Sequence, residues 1–370
     1  MRRRTLLRSS LTLPAWPAWA ADDTLLIGQI GPQGERLDAA SHEQLAGMKL
    51  ALDEANARGG IGGRKLRWVM IDSNGLAPAM LAVKAQRLGS ETSFMAWLGP
   101  VGADCQTVLA QIPAEARAPC VGALSLQDRQ REALPGWQFH VRASQARQAE
   151  ALVRHLGTLR LDRVAVVSRS GPDGNESAGV LGAALVERGL RPLSQASVTD
   201  DPATLQEAAR KLVALDPQAL LLALPAHQML GLVEQVRALK RQPAIYAMSM
   251  GGGEALIEGG LKRAEGVVIT QVVPNPWSDA QPQLVDYRRA CGPAQVRIGH
   301  ASLEGYLTAQ VLIEALRRAG PKVQRRLLRD RLATLQLPLS GMEVDFQRGL
   351  SEGSRYVELV QIGPGGRYLR

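Results

Sequence analysis

Cysteine is scarce: Cys105, Cys120 and Cys291 are the only three in 370 residues. An odd count leaves at least one thiol outside any internal bridge, so no disulfide framework holds this chain together. No C-x-x-C pair occurs, and no cysteine stands at metal spacing from a histidine. Buried, unreactive thiols are the expectation, with a single disulfide as the alternative in an oxidising compartment. Aromatic residues make up 4 % of the chain. That is too few for a protein that stacks a series of bases or sugars. The five histidines, His42, His140, His155, His227 and His300, never fall at the spacing of paired zinc ligands. Beyond the first twenty residues no apolar run is long and charge-free enough to span a bilayer.

Signals for catalysis are also weak. The segment Gly349-Leu350-Ser351-Glu352-Gly353 matches G-x-S-x-G. A nucleophile elbow would need a helix after the serine, then an acid and a histidine. Here a strand pattern follows and no histidine remains downstream, so a polar turn is the reading. The glycine-rich stretch Gly59 to Lys65 follows a helix pattern and lacks the Ser or Thr of a phosphate loop. No catalytic residue, metal or cofactor is expected.

The formal net charge is +9, and four of those charges are Arg2, Arg3, Arg4 and Arg8. Arg325, Arg326, Arg329 and Arg331 form the densest later group, which reads as a solvated helix face, so no nucleic-acid partner is expected. The arginine-rich start is followed by an apolar segment, Leu11 to Trp19, and by Ala18-Trp19-Ala20. This is the pattern of a secretory signal over residues 1–20, with cleavage after Ala20 and no cysteine behind it for a lipid anchor. Arg3-Arg4-Thr5-Leu6-Leu7-Arg8 leaves the Sec and twin-arginine routes both open. A periplasmic location follows from either.

From Thr24 onward, strand and helix patterns alternate. Thr24 to Ile30, Lys65 to Asp72, Phe94 to Leu98, Pro119 to Leu124 and Gln138 to Val141 read as strands. The helices between them are His42 to Arg58, Ala77 to Leu88 and one capped by Asp104. The series then restarts. Strands are expected at Arg163 to Ser168, Leu190 to Val198, Ala219 to Leu224, near Ile245 and near Val267. Helices fall at Glu176 to Arg188, Leu205 to Leu215 and around Met229 to Val236. Two successive alternating sets predict two α/β lobes, each a doubly wound parallel sheet. The tail breaks the alternation: helices at Pro282 to Cys291, Ala301 to Ala319 and Gln324 to Leu335 precede strands at Met342 to Phe346 and Tyr356 to Ile362. It reads as material added to both lobes.

The order of these segments resembles the type I periplasmic solute-binding proteins, specifically the leucine/isoleucine/valine-binding-like receptors of ABC importers. Ile27-Gly28-Gln29-Ile30-Gly31-Pro32 is similar to that family's opening strand. Ala51 to Lys65 (ALDEANARGGIGGRK) resembles its N-x-x-G-G-I-x-G helix end. Ile71-Asp72-Ser73, Ser302 to Gly320 and Gly353 to Arg370 resemble later segments in the same order. The resemblance covers nearly the whole mature chain.

It implies two lobes joined by three crossover strands, placed near 142–144, 270–273 and 337–341. Lobe one is then 21–143 with 274–337, and lobe two is 144–273 with 338–370. It further implies a monomer that holds a small-molecule ligand in the cleft and delivers it to ABC permease subunits in the inner membrane. A ligand-sensing module for a membrane receptor or kinase is the alternative, and an envelope assembly protein without a ligand a third.

Ligands of open parallel sheets bind beyond the carboxyl ends of strands. The candidate residues are therefore Pro100, Val101, Gly102, Ala103, Leu124 and Ser125 from lobe one, with Asp173, Ala226 and Met250 from lobe two. Each has a plainer alternative. Gly99 and Gly102 serve equally as a tight turn and Ser125 as a helix cap. Asp173 lies in a turn-forming sequence, His227 reads as a surface residue and Met250 as core filling. Trp68 and Trp97 read as core. Ser125 matches the family's second hydroxyl position, whereas Gly102 and Ala103 leave only backbone donors at the first. The family's ammonium-binding acid falls near Met250, with Asp173, or Glu254 on a shifted register, as the acid that would take its place; without one, the resemblance implies that an organic acid or amide fits better than an α-amino acid.

Overall fold

The computed structural model describes residues 24–124, 127–132, 134–349 and 352–369. The expected signal segment, Ser125 and Ser351 lie outside them.

The first lobe holds strands β1 (Thr24–Gly31), β2 (Lys65–Asp72), β3 (Phe94–Leu98), β4 (Cys120–Val121) and β5 (Gln138–Phe139). They form an all-parallel sheet in the order β2-β1-β3-β4-β5. Helices α1 (Ala39–Ala57), α2 (Pro78–Gly89) and α3 (Ala103–Ala110) connect the first four of these strands. Phe94 to Leu98 is buried residue by residue. That is the signature of a strand covered on both faces.

The second lobe begins with α4 (Gln145–Thr158). It continues through β6 (Val164–Arg169), α5 (Pro172–Glu187), β7 (Gln195–Val198), α6 (Pro202–Ala214), β8 (Ala219–Ala223), α7 (Ala226–Ala238), β9 (Ala244–Ala247), α8 (Gly253–Ala264) and β10 (Val268–Gln271). After it come α9 (Pro282–Ala294), α10 (His300–Ala319), α11 (Arg325–Ala333), the hairpin β11 (Gln336–Leu339) and β12 (Met342–Asp345), and finally β13 (Glu358–Ile362) and β14 (Tyr368–Leu369). The second sheet runs β14-β13-β10-β9-β8-β6-β7. The five strands from β10 to the β7 edge are parallel, and β13 and β14 add antiparallel at the other edge.

Several local expectations are corrected. Helices α4 and α8 are additional to the sequence reading. Helix α5 starts at Pro172 rather than Glu176, with Gly171 at its cap in the positive-φ region and Pro172 in its first turn. The turn-forming sequence around Asp173 is thus a helix start, where proline's fixed φ and absent N–H are tolerated. Asp104 sits inside the first turn of α3, and Gly102 occupies the cap position without a side-chain hydrogen bond.

The chain passes between lobes after β5, returns after β10, and passes again before β13. The last passage differs from the one expected at 337–341. Those residues are the end of β11 and the turn of the β11–β12 hairpin, with Ser340 and Gly341 at positive φ. Leu339, Met342, Val344 and Phe346 belong to the first-lobe core. Residues 336–346 therefore pack with the first lobe, and the crossing follows Gly353, whose N–H bonds the His140 carbonyl beside the first passage.

One helix pair sets the geometry of the first lobe's cleft edge. α1 and α10 pack at backbone distance: a Cβ on Gly47 would overlap the Ser302 carbonyl oxygen, and one on Gly305 would overlap the Gln44 carbonyl oxygen. Two glycines thus let both helix N-termini reach the interlobe space side by side.

Candidate ligand-binding cleft

A cavity of about 200 Å³ lies between the lobes, lined by residues of both. From strand ends come Leu124, Arg142, Arg169, Pro225, Ser249, Met250 and Gln271. Asp38, Ser41, Gln44, His300 and Glu304 come from the N-terminal ends of α1 and α10, and Glu254 from the first turn of α8. Convergence at the carboxyl ends of two parallel sheets is where such folds place ligands. The volume is below the roughly 300–1,000 Å³ of drug-sized sites, so only a small molecule fits.

The lining is mostly polar and much of it is internally paired. Arg142 meets Glu304 at 3.3 Å, with about a tenth of each side chain exposed. Its guanidinium also donates to Ser249 Oγ at 2.6 Å. The Ser249 N–H in turn donates to Gln148 Oε1, which fixes that loop against α4. Asp38 caps α1, accepting from the N–H and hydroxyl of Ser41. Glu254, from the second lobe, accepts from the backbone N–H of His300 at 3.1 Å and meets His300 Nδ1 at 2.7 Å. A second-lobe side chain thereby caps a first-lobe helix across the cleft, satisfying one of the donors a helix start leaves open. Burial pushes the Glu254 carboxyl up, but the hydrogen bonds it accepts from His300 outweigh it and leave the group below the usual carboxylate range. Arg169 makes no ion pair among the described residues.

Further polar contacts join the lobes. Arg297 bridges Glu43 at 3.0 Å and Glu258 at 2.8 Å. Arg129 meets Glu176 at 3.1 Å. The His300 ring packs edge-on against Trp277 and Tyr368, with centroids 5.7 and 5.0 Å away.

Of the residues expected from sequence, Leu124 and Met250 line this cavity, and Pro225 lines it beside Ala226. Pro100, Val101, Gly102, Ala103 and Ala226 are not among its lining residues, and Ser125 lies outside the described residues. Val101 is buried in the first-lobe core, and Asp173 is exposed on the first turn of α5 away from the lining. Gly99 takes φ +62°, and a Cβ there would collide with Met48 Sδ, the tight-turn role. His227 is exposed and bonds Asp200 at 2.7 Å. Trp97 is core, at 1 % exposure, and Trp68 packs half-buried against the first-lobe core. The three cysteines are buried and unbridged, and burial pushes the Cys105 thiol up to about 11 and Cys120 to about 12.

The main correction concerns charge. Met250 does stand in the cavity wall, but Glu254 and Glu304 bring two carboxylates into the same space. Of the two acids the sequence offered in place of one at Met250, Glu254 lines the cavity and Asp173 does not. Counting Asp38, the lining holds three acids against Arg142 and Arg169. The residues sequence reasoning missed as a group are Arg142, Gln271, His300 and Glu304, along with the α1 start.

Comparison with known proteins agrees with this architecture. The family model described as "Periplasmic binding protein" matches residues 24–367. An extracellular ligand-binding receptor from Verminephrobacter eiseniae is 26 % identical, with a TM-score of 0.84 over 94 % of this chain and 100 % of that one. A substrate-binding periplasmic protein from Ralstonia solanacearum is 27 % identical, with a TM-score of 0.82 over 93 % and 99 %. A possible leucine/isoleucine/valine-binding protein from Rhodopirellula baltica shares the fold at 23 % identity, with a TM-score of 0.80 over 96 % and 98 %. Among curated proteins none matches. A two-lobed α/β chain with a small polar cavity at both sets of strand ends, matched by that model from its first strand almost to its last, belongs to the periplasmic binding protein family: it is a binding protein of the periplasm and not an enzyme.

Proposed function

We propose that this protein is the substrate-binding component of an ABC importer of the branched-chain amino acid type. It captures a small amino acid, amide or organic acid in the interlobe cavity and presents it to permease subunits in the inner membrane. The observation that carries this is the cavity itself, small, polar and built by both lobes at their strand ends. A ligand there touches both lobes at once and so favours the closed arrangement by its differential affinity. Leu124 and Met250 supply apolar wall, while Arg142, Arg169, Glu254 and Glu304 supply both signs of charge.

Export by the Sec or twin-arginine route, with the mature chain starting at Ala21, belongs to the same proposal. N-terminal sequencing of the exported protein tests the cleavage point, and replacing Arg3 and Arg4 by lysine separates the routes. The function is tested by a thermal-shift screen of small amino acids, amides and acids, followed by small-angle scattering with each hit. A stabilising compound that also compacts the protein supports the reading. Stabilising compounds that leave the scattering curve unchanged, or a screen without any hit, would overturn it.

A further inference from the structure

Two buried side-chain nitrogens in the cavity wall are left without a partner. Gln271 and His300 both line the cavity, each at 4 % exposure, and Nε2 of each has no hydrogen-bond partner among the described residues. They come from opposite lobes: Gln271 ends β10 at the second passage, and His300 starts α10. Burying a polar atom without a partner costs roughly 1–3 kcal/mol, and such atoms are rare in native proteins. Two of them in one small cavity mark where a ligand's own polar atoms belong.

Their hydrogen-bonding roles differ. Glu254 sits 2.7 Å from His300 Nδ1, and its carboxyl lies below the usual range, so it is an acceptor. The neutral ring tautomer that a carboxylate selects carries its proton on Nδ1 and leaves Nε2 an acceptor. Trp277 and Tyr368 pack at right angles to the ring and hold its plane. The Gln271 nitrogen is a donor. One small molecule satisfies both atoms if it offers an N–H to His300 and an oxygen to Gln271. The charges agree: with three acids against two arginines in the lining, a plain anion gains nothing overall, whereas a neutral or zwitterionic molecule loses nothing.

We propose that His300 and Gln271 read the ligand directly, His300 accepting an N–H and Gln271 donating to an oxygen. The cavity then selects small molecules that carry an amine or amide N–H near a carbonyl or carboxylate oxygen, over carboxylic acids that lack the N–H. Glu254 is the positioning residue that sets the His300 tautomer. This deepens the importer reading and rests on the cavity being its ligand site.

The test compares matched sets built on one carbon skeleton, by calorimetry at pH 8: L-leucine, 4-methylpentanamide and 4-methylpentanoate, with L-alanine, propanamide and propanoate as the smaller set. The expected result is that the amino acid or the amide of a set binds at least about tenfold tighter than its acid, because the acid leaves His300 Nε2 unpaired in a buried site. Which of the two binds better separates an ammonium donor from an amide donor. An acid that binds as tightly as its matched amine and amide overturns this inference while leaving the importer reading standing. If no member of either set binds, this assignment is overturned, and the importer reading is then decided by the wider screen. His300→Gln, which keeps an acceptor oxygen, should preserve the preference for the N–H compounds, and His300→Phe should abolish it. A preference unchanged in the folded His300→Phe protein would also overturn the assignment.

Discussion

Arg142, at the first passage between the lobes, and Glu304, one turn into α10, form an ion pair of 3.3 Å with about nine-tenths of each side chain buried. Removing one partner of such a pair strands a charge, which costs more than the pair itself contributes. Because this pair lines a cavity and Arg142 keeps its bond to Ser249, the cost of Glu304→Ala is placed below the fully buried range, at about 2–3 kcal/mol. Arg142→Met with Glu304→Leu should recover most of it. Urea unfolding of Glu304→Ala and of the double variant checks this, and an equal loss in both would contradict it.

The α1–α10 contact makes a second prediction. Gly47 and Gly305 sit where a side chain would collide with the facing backbone, so neither can take even a methyl group without the helices separating. Gly305→Ala should cost roughly 1–3 kcal/mol by overpacking. It should also weaken ligand capture, because Gln44 on α1 and His300 and Glu304 on α10 all stand on the cavity wall. Gly157→Ala, at a helical glycine with open space around it, is the control and should change stability by well under 1 kcal/mol.

Much of the fold was legible because the strands are nearly unbroken apolar runs. Leu220, Leu221 and Leu222 can only be a strand buried on both faces between two helices. Helix α4 was also legible in principle, since Ala149, Leu152, Val153 and Leu156 repeat at helical spacing on its buried face. Helix α8 was not, because Gly253, Gly259 and Gly260 lower its propensity and Gly260 leaves helical angles altogether. Missing α8 left Glu254 in reach only through a shift of register, although it is an acid of the cleft. The strand-end rule found Leu124 and Met250. It passed over the α1 start, although α1 follows β1, and it could not find the α10 start, because α10 follows a helix and reaches the cavity through the glycine-mediated packing on α1. Likewise β11 and β12 alternate apolar and polar residues as a crossover strand would, and only their packing on Phe139 and its neighbours assigns them to the first lobe.

His140 should make stability depend on pH above the carboxylate range. It is 1 % exposed at the first passage, and both ring nitrogens lack a partner among the described residues. Burial, and then the nearby Arg131 and Arg142, hold it neutral well below the ordinary value of 6.5. The unfolded chain takes up that proton as pH falls through about 6.5 while the folded chain does not. Stability attributable to His140 is therefore full above that pH and is lost below it, at no more than about 1.4 kcal/mol per pH unit. His140→Leu should flatten the curve between pH 6.5 and 5. Chemical unfolding at half-unit steps measures it, and parallel curves for the variant and the parent would refute the assignment.

Glu254 governs a lower window. Its folded value is depressed below 4.5 by His300 despite burial, so its contribution is complete above about pH 4.5 and fades as pH falls through the folded value. The contact it loses is an interlobe one, since its carboxylate caps α10 from the other lobe. Protonation should therefore loosen closure before it unfolds either sheet, each of which keeps its own core. Tyr368, Glu43 and Arg297 also lie near enough to act on this carboxyl or its neighbours. Arg297 holds its bridge to Glu258 independently and should keep part of the contact. Glu254→Gln retains the shape and removes the titration. The parent protein should show an increase in radius of gyration between pH 6 and pH 3.5 while its far-ultraviolet circular dichroism is unchanged. The variant should already be looser at pH 6 and change little on acidification. An acid expansion that is identical in Glu254→Gln would assign it to another carboxylate, of which Glu352, depressed by its bonds to Ser144 and Arg147 at the hinge, is the next to replace.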